Sequence, residues 1–260
     1  MLLYDNALSP FARKVRIALT LKGLHVDVVD GLDVRERDGL EAVNGRVEVP
    51  ALVVGPRTIV GSADILAYLD RRQPDPMLYP ADADAYAQVR AWERCADTYI
   101  DAIVTPVSVW SWADRDDTMP DGMLETARRD LEEVYDALDR HLARSGPFIW
   151  GDAPSAAECA LFPHLTGVKS LSIGFDMERC PHLARWFKML RQHPAFAEDI
   201  VRARGFLRRT IKQRAVHLER TRLFWRGDRL EWLLARGFHD WLGGEIAAKR
   251  VLWPGPDIPR

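Results

Sequence analysis

The chain has 260 residues, a length that suggests one large domain or two modest ones. Its 47% apolar and 28% charged residues are typical of a globular protein, which excludes collagen-like, low-complexity and intrinsically disordered classes. No apolar run reaches the roughly 18 residues of a membrane span. The first residues, Met1 to Asp5, lack the pattern of a secretory signal. We therefore expect a cytoplasmic protein without membrane contact.

Charge is distributed unevenly along the chain. Residues 200–260 carry 14 basic and 6 acidic side chains, a net charge of +8, whereas residues 1–199 carry 22 and 32, a net charge of −10. Such an asymmetry indicates either a nucleic-acid or membrane contact, or a basic terminal segment packed on an acidic body. We favour the second interpretation.

The cysteine and histidine patterns argue against metal sites and disulfides. Cys95, Cys159 and Cys180 are far apart and odd in number, so neither a disulfide framework nor a zinc site is expected. The seven histidines show no metal-ligand spacing, and no phosphate-binding glycine loop is present. We expect neither a metal nor a nucleotide cofactor.

The first seventy residues alternate between strand and helix patterns. Strands are predicted over 2–4, 26–29, 49–54 and 58–60, and helices over 10–22, 33–43 and from residue 62 onward. Ser9 and Pro10 are typical of a helix start, and Gly23 of a helix end. The first helix has an apolar face, and its basic residues are predicted to point outward: Arg13, Lys14 and Arg16.

The remainder of the chain has helical patterns. Three prolines within residues 73–80 indicate a linker between two domains. Beyond it, one helix is predicted up to Gly146, and a capping box of Ser155 and Glu158 starts another. A further helix is predicted between Pro181 and His193. We place the domains at 1–76 and 82–200, with 201–260 as a basic, tryptophan-rich helical extension.

Three short motifs lie in a characteristic order: Ser9-Pro10-Phe11-Ala12, Val49-Pro50-Ala51-Leu52 and Gly61-Ser62-Ala63-Asp64-Ile65. With the strand and helix order, they resemble the thioredoxin-like domain of the glutathione transferase superfamily. The capping box and the helix that contains Trp186 resemble the all-α second domain of that superfamily. The resemblance covers about residues 1–200 and implies an α/β domain followed by an all-α domain, here with a helical extension.

The resemblance implies glutathione as co-substrate and Ser9 as the residue that stabilises its thiolate. Tyr4 is the rival for this role, because relatives that use tyrosine place it at the end of the first strand. Val49, before a cis Pro50, would bind the cysteinyl backbone, and Ser62 would bind the γ-glutamyl carboxylate. Two positions depart from the pattern, because Gly61 stands where relatives have an acid and Glu48 where they have a basic or amide side chain. Charged residues that could compensate are Asp64 for the acid, and Arg46 or Arg35 for the base.

The same resemblance implies a pocket between the domains for a small hydrophobic electrophile. Its candidate residues are Tyr4, Phe11, Ile103 and Trp110, with Ile100 and Trp112 beside them. It also implies a two-fold homodimer that uses the segment from Tyr86 to Ile103. The zeta-type isomerases are a weaker match, because relatives of that type have Ser-Ser-Cys at the start of the first helix, where this chain has Ser9-Pro10-Phe11. A non-catalytic binding or scaffold protein of the same fold is the alternative.

The extension matches no family that we can name. Its dense apolar stretches, such as 230–234, would be costly to expose at about 25 cal/mol per Å². We therefore predict further helices packed on the second domain, which wall the electrophile pocket and do not bind nucleic acid.

Overall fold

The computed structural model describes residues 1–209 and 221–253. Its N-terminal part contains a four-stranded mixed sheet of order β2-β1-β3-β4. β2 is parallel to β1, whereas β3 is antiparallel to both of its neighbours. Leu3 is opposite Val28 on one side and Leu52 on the other. Each strand lies within two residues of its predicted bounds: β1 (Leu2–Asp5), β2 (Asp27–Asp30), β3 (Ala51–Val54) and β4 (Arg57–Val60).

Three helices flank this sheet: α1 (Pro10–Leu21), α2 (Arg37–Asn44) and α3 (Ser62–Arg72). Ser9 caps α1 as predicted, and its Oγ accepts a hydrogen bond from Ala12 N at 3.4 Å. The prediction that the second helix begins at residue 33 is wrong. Asp33 Oδ1 accepts a hydrogen bond from Arg35 N, and this turn delays the helix to Arg37.

The second part of the chain is helical: α4 (Ala83–Arg94), α5 (Asp101–Trp112), α6 (Met123–Ser145), α7 (Ala156–Gly167), α8 (Pro181–Gln192) and α9 (Pro194–Leu207). A π-helical turn, Cys95–Ile100, joins α4 to α5. The predicted capping box is present at the start of α7, where Ser155 Oγ accepts from Ala157 N and Glu158 Oε2 accepts from Ser155 N. The fold is therefore a thioredoxin-like domain followed by a helical domain.

The basic residues of α1 do not point outward as the sequence predicted. Arg13, Lys14 and Arg16 are all buried, because the second domain covers the face of α1 that lies opposite the sheet. Arg13 and Arg16 share Asp199 of α9 at 2.7 Å each, and Lys14 lies 2.6 Å from Glu93 of α4. These contacts hold the two domains together around α1.

The described part of the extension forms two short paired strands and two helices: β5 (Leu223–Phe224), β6 (Val251–Leu252), α10 (Gly227–Ala235) and α11 (His239–Ala247). α10 packs on α5, and both Trp225 and Trp232 are buried. Arg236 extends from the end of α10 to Asp130 of α6, at 2.7 Å. The predictions for 210–220 and 254–260 lie outside the described residues.

Candidate functional site

The start of α1 is a tightly held turn that presents Ser9. The Asn6 side chain accepts hydrogen bonds from Leu8 N at 3.0 Å and Ser9 N at 3.3 Å. Its amide group in turn donates to Asp30 Oδ1 at 3.0 Å. Asn6 is 3% exposed, so this hydrogen-bonded turn fixes the position of Ser9. Asn6 was not among the predicted site residues, although an asparagine three residues before a helix cap is a known turn signal.

The start of α3 forms a second part of the site. Gly61 precedes this helix with φ +83°, a conformation that favours glycine, and Ser62 is its first residue. Ser62 is buried, whereas Asp64 is exposed. A Cβ atom on residue 61 would lie only 3.0 Å from Asp64 Oδ2. The Asp64 carboxylate thus occupies the space beside the missing side chain of position 61.

The Val49-Pro50 segment forms the third part, and its peptide bond is cis, as expected. Glu48, just before it, is held from two sides. Its side chain lies 2.8 Å from Arg46, and its carbonyl oxygen accepts a hydrogen bond from Asn44 at 2.8 Å. Arg46 therefore lies beside Glu48 at the place where the sequence lacked a basic residue.

A long cavity of about 1810 Å³ brings these parts together. Its lining includes most of the predicted site residues: Ser9, Phe11, Val49, Pro50, Ser62 and Asp64. Arg46 and Trp112 also line it. Residues that are 53 positions apart, Ser9 and Ser62, thus face one space.

Four residues predicted for the electrophile pocket do not line this cavity: Tyr4, Ile103, Trp110 and Ile100, of which Ile100 is fully buried in the main core. Tyr4 packs with Leu40 and Ala51 in a small separate core below α2, and Ile103 is fully buried in the main core. Trp110 stacks on Trp241 of the extension, with ring centroids 5.6 Å apart. The side chain of a tyrosine at a strand end, or of a residue in a helix, can point toward the cavity or into the core. The side chains of Tyr4 and Ile103 both point into the core. Of the two hydroxyls predicted as candidates for thiol activation, Ser9 and Tyr4, the cavity lining contains that of Ser9.

The extension forms one wall of the cavity through Trp225, Arg226 and Arg229. The Arg226 guanidinium lies over the ring of Phe11, 4.4 Å from its centroid. Both arginines donate to Asp101 Oδ2 of α5, at 3.0 Å from Arg226 and 2.8 Å from Arg229. The extension is thus joined to α5 directly beside Phe11, the residue that follows Ser9-Pro10.

Asp101 is the buried centre of this charge cluster. Burial alone would raise its pKa, but Arg229, His164 and Arg226 outweigh that effect and hold the pKa well below the usual range for aspartate. The Thr105 hydroxyl also donates to its Oδ1, at 3.0 Å. Asp101 is therefore a stable anion that fixes two cations of the extension.

Within 1–209 and 221–253, no three His, Cys, Asp or Glu side chains are grouped in a way that could hold a metal ion. No helix in the same ranges is long and apolar enough to cross a bilayer.

Comparison with known proteins gives two family matches. The model for the glutathione S-transferase N-terminal domain matches residues 3–77, and the model for the C-terminal domain matches residues 98–188. Among curated proteins, a maleylpyruvate isomerase from Ralstonia sp is 27% identical, over 66% of this chain and 84% of the relative. Glutathione S-transferase Z2 from Arabidopsis thaliana is 29% identical, over 76% of this chain and 89% of the relative.

A solved structure of similar fold is a glutathione S-transferase from Methylobacillus flagellatus with glutathione bound. It has a TM-score of 0.65 and 26% identity, and the match covers 76% of this chain and 98% of that one. The two family matches together span more than half of the 260 residues and follow the two domains of the fold. The chain belongs to the glutathione S-transferase superfamily of enzymes.

Proposed function

We propose that the protein holds glutathione as a thiolate at Ser9 and transfers it to a small hydrophobic electrophile. The observation that carries this proposal is the shared cavity of Ser9, Val49 and Ser62, which belong to three separate segments. Two helix N-termini, those of α1 and α3, start at this cavity and favour negatively charged groups there. Glutathione carries two carboxylates and, when activated, a thiolate.

Ser9 is suited to stabilise the thiolate. A free thiol titrates near ~8.5, so a neutral solution contains mostly the protonated form. The Ser9 oxygen accepts a long hydrogen bond from Ala12 N, at 3.4 Å, and this leaves its hydroxyl hydrogen available for the sulfur. Once the thiol proton passes to solvent, the sulfur forms a bond to the electrophilic carbon, and the leaving group departs with its electron pair.

The start of α3 is suited to the γ-glutamyl end of glutathione. The hydroxyl of Ser62 and the free N–H groups of the first helical turn can bind its carboxylate. Asp64, in the space beside Gly61, can bind its ammonium group through a charge-assisted hydrogen bond. The Asp64 carboxylate would thereby take the place of the acidic side chain that relatives have at position 61.

A calorimetric titration of the protein with glutathione tests this function. We expect binding heat from the wild type and an affinity about 10-fold weaker for Asp64→Asn, because one charge-assisted bond is lost. Asp84→Asn is the matched control, since Asp84 is also an exposed aspartate in a first helical turn. Absence of heat from the wild type would contradict the proposed function and support the non-catalytic alternative.

Glutathione-dependent isomerisation is a second candidate, because a maleylpyruvate isomerase is among the relatives. It would use the same thiolate but return glutathione unchanged. Mass spectrometry of the products distinguishes the two reactions, since conjugation retains glutathione in the product. The Ser9-Pro10-Phe11 sequence at the start of α1 favours conjugation.

We also propose a two-fold homodimer, as the resemblance implied. The segment from Tyr86 to Ile103 contains exposed aromatic residues, Tyr86 at 46% and Tyr99 at 37% exposure. Such residues are enriched in interfaces between subunits. Solution scattering at micromolar concentration should give twice the chain mass of 29.6 kDa. A mass equal to one chain would rule the dimer out.

A further inference from the structure

The wall that α5 contributes to the cavity carries a row of hydroxyl groups. Four hydroxyl residues of α5 and of the turn before it line the cavity: Thr98, Thr105, Ser108 and Ser111. Each of them is at least partly exposed. Thr105 and Ser108 follow Asp101 by four and seven positions, so the three residues share one face of the helix. We name the four hydroxyl residues the α5 hydroxyl row.

Each hydroxyl of the row has already committed its hydrogen. The hydrogen is donated over 2.6 to 3.0 Å to a carbonyl or carboxylate oxygen three or four positions earlier: from Thr98 to Arg94, from Thr105 to Asp101, from Ser108 to Thr105 and from Ser111 to Ser108. Carbonyl and carboxylate oxygens only accept, so the direction of these hydrogen bonds is fixed. The row therefore offers lone pairs to a bound molecule. Ser9 has the opposite character, because its oxygen accepts from Ala12 N and its hydrogen stays available.

Two further polar atoms in the lining residues lack a hydrogen-bond partner in the described part of the chain. One is Oδ1 of Asp97, the residue before Thr98. The other carboxylate oxygen of Asp97 is paired with Lys14 at 2.6 Å, which leaves Oδ1 as an acceptor. The second atom is the indole Nε1 of Trp225, a side chain that is only 1% exposed. Buried polar atoms without a partner are costly, so binding of a polar group that reaches them is favoured.

We propose that the electrophile carries a neutral hydroxyl group beside an apolar body, and that the α5 hydroxyl row recognises this group. A hydroxyl can donate to the row and accept from the Trp225 N–H through one oxygen atom. An ether oxygen could not donate to the row. Apolar side chains of the same lining would cover the body of the molecule: Phe11, Val104 and Trp112.

The charges of this wall favour a neutral group over an anion. Asp97 and the lone pairs of the row would repel a carboxylate. The cations beside them are neutralised, since Arg226 and Arg229 both pair with Asp101. This inference rests on the proposed function, because it names the substrate class for the same cavity.

A calorimetric titration with two unreactive ketones tests the recognition of the hydroxyl. One ligand is 4-(4-hydroxyphenyl)-2-butanone, and the other is its methyl ether, which has the same body without the O–H donor. We expect the wild type to bind the phenol about 5-fold more tightly than the ether. Ser108→Ala should weaken phenol binding about 5-fold and leave ether binding unchanged, because the variant removes one acceptor of a neutral hydrogen bond.

Ser170→Ala is the matched control. Ser170 also lines the cavity, and its hydroxyl donates to the Gly167 carbonyl oxygen at 2.7 Å, but it lies on the segment after α7. This variant should bind both ketones as the wild type does. Equal affinity of the wild type for the two ketones would overturn the proposal. So would phenol binding that is unchanged in Ser108→Ala, or that is weakened in Ser170→Ala instead.

The two ketones also separate this inference from the proposed transfer reaction. Neither has a leaving group or an activated double bond, so their binding does not require glutathione or turnover. A protein that prefers the phenol but gives no heat with glutathione would contradict the proposed function and leave the hydroxyl recognition standing. A protein that binds glutathione but does not distinguish the ketones would contradict the hydroxyl recognition alone.

Discussion

Replacing Ser9 with alanine is expected to raise the pKa of the thiol of bound glutathione by about one to two units. The Ser9 hydroxyl lies on the cavity at the N-terminus of α1, where it can donate to the sulfur. A charge-assisted hydrogen bond of this kind contributes about 1.5–3 kcal/mol, and 1.36 kcal/mol corresponds to about one pKa unit. The thiolate absorbance of bound glutathione, recorded against pH in wild type and Ser9→Ala, measures the shift.

Ser108→Ala is the matched control for this measurement. Ser108 also lines the cavity, but its hydroxyl donates to the Thr105 carbonyl oxygen at 2.8 Å and is therefore already used. We expect no change in the thiol pKa for this variant. An unchanged pKa in Ser9→Ala would remove Ser9 from thiol activation. Tyr4 could not replace it without a rearrangement, because its ring lies in the small core below α2.

The parts of the site that the sequence predicted are those encoded by short local motifs. Ser9, Val49-Pro50 and Ser62 each stand at a helix start or strand start, where a few neighbouring residues determine the backbone. The strand and helix order then brings these starts to one edge of the sheet. Local patterns were therefore sufficient to predict that these three segments share one end of the cavity.

The parts that the sequence did not predict depend on contacts between distant segments. Arg226 and Arg229 meet Asp101 across 125 and 128 positions, and no local pattern pairs these residues. Arg13 shows the same limitation, because its helical face looked solvent-exposed until α9 supplied Asp199. A basic residue on the polar face of a helix does not reveal whether water or a second domain lies opposite.

The excess of acids in residues 1–199 and of bases after them has a structural counterpart. Arg202, Arg226 and Arg236 of the C-terminal part pair with Asp5, Asp101 and Asp130 of the body, respectively. All three acids are buried, and among the described contacts Asp101 is paired with two arginines of the extension, Arg226 and Arg229. The charge asymmetry therefore corresponds to docking of the extension, and Asp101 is its central contact.

Asp101→Asn should destabilise the folded protein by about 3–5 kcal/mol at neutral pH, because it leaves Arg226 and Arg229 beside a neutral side chain in a buried site. Urea denaturation of wild type and variant measures this difference in the free energy of unfolding. The control is Asp228→Asn. Asp228 also pairs with Arg226, but its side chain is 26% exposed, so its loss should cost only about 0–1 kcal/mol.

The pH dependence of the free energy of unfolding distinguishes the effect of the Asp101 charge from an effect of packing. The folded state holds the pKa of Asp101 below its unfolded value of about 3.9, so the stabilisation is fully present above that pH. As the pH falls below about 3.9, the unfolded chain binds a proton at Asp101 and the folded chain does not. The difference in the free energy of unfolding between wild type and Asp101→Asn should therefore narrow by about 1.4 kcal/mol for each pH unit of decrease. A difference that is below about 1 kcal/mol at neutral pH, or that persists unchanged to pH ~3, would show that Asp101 does not anchor the extension by its charge.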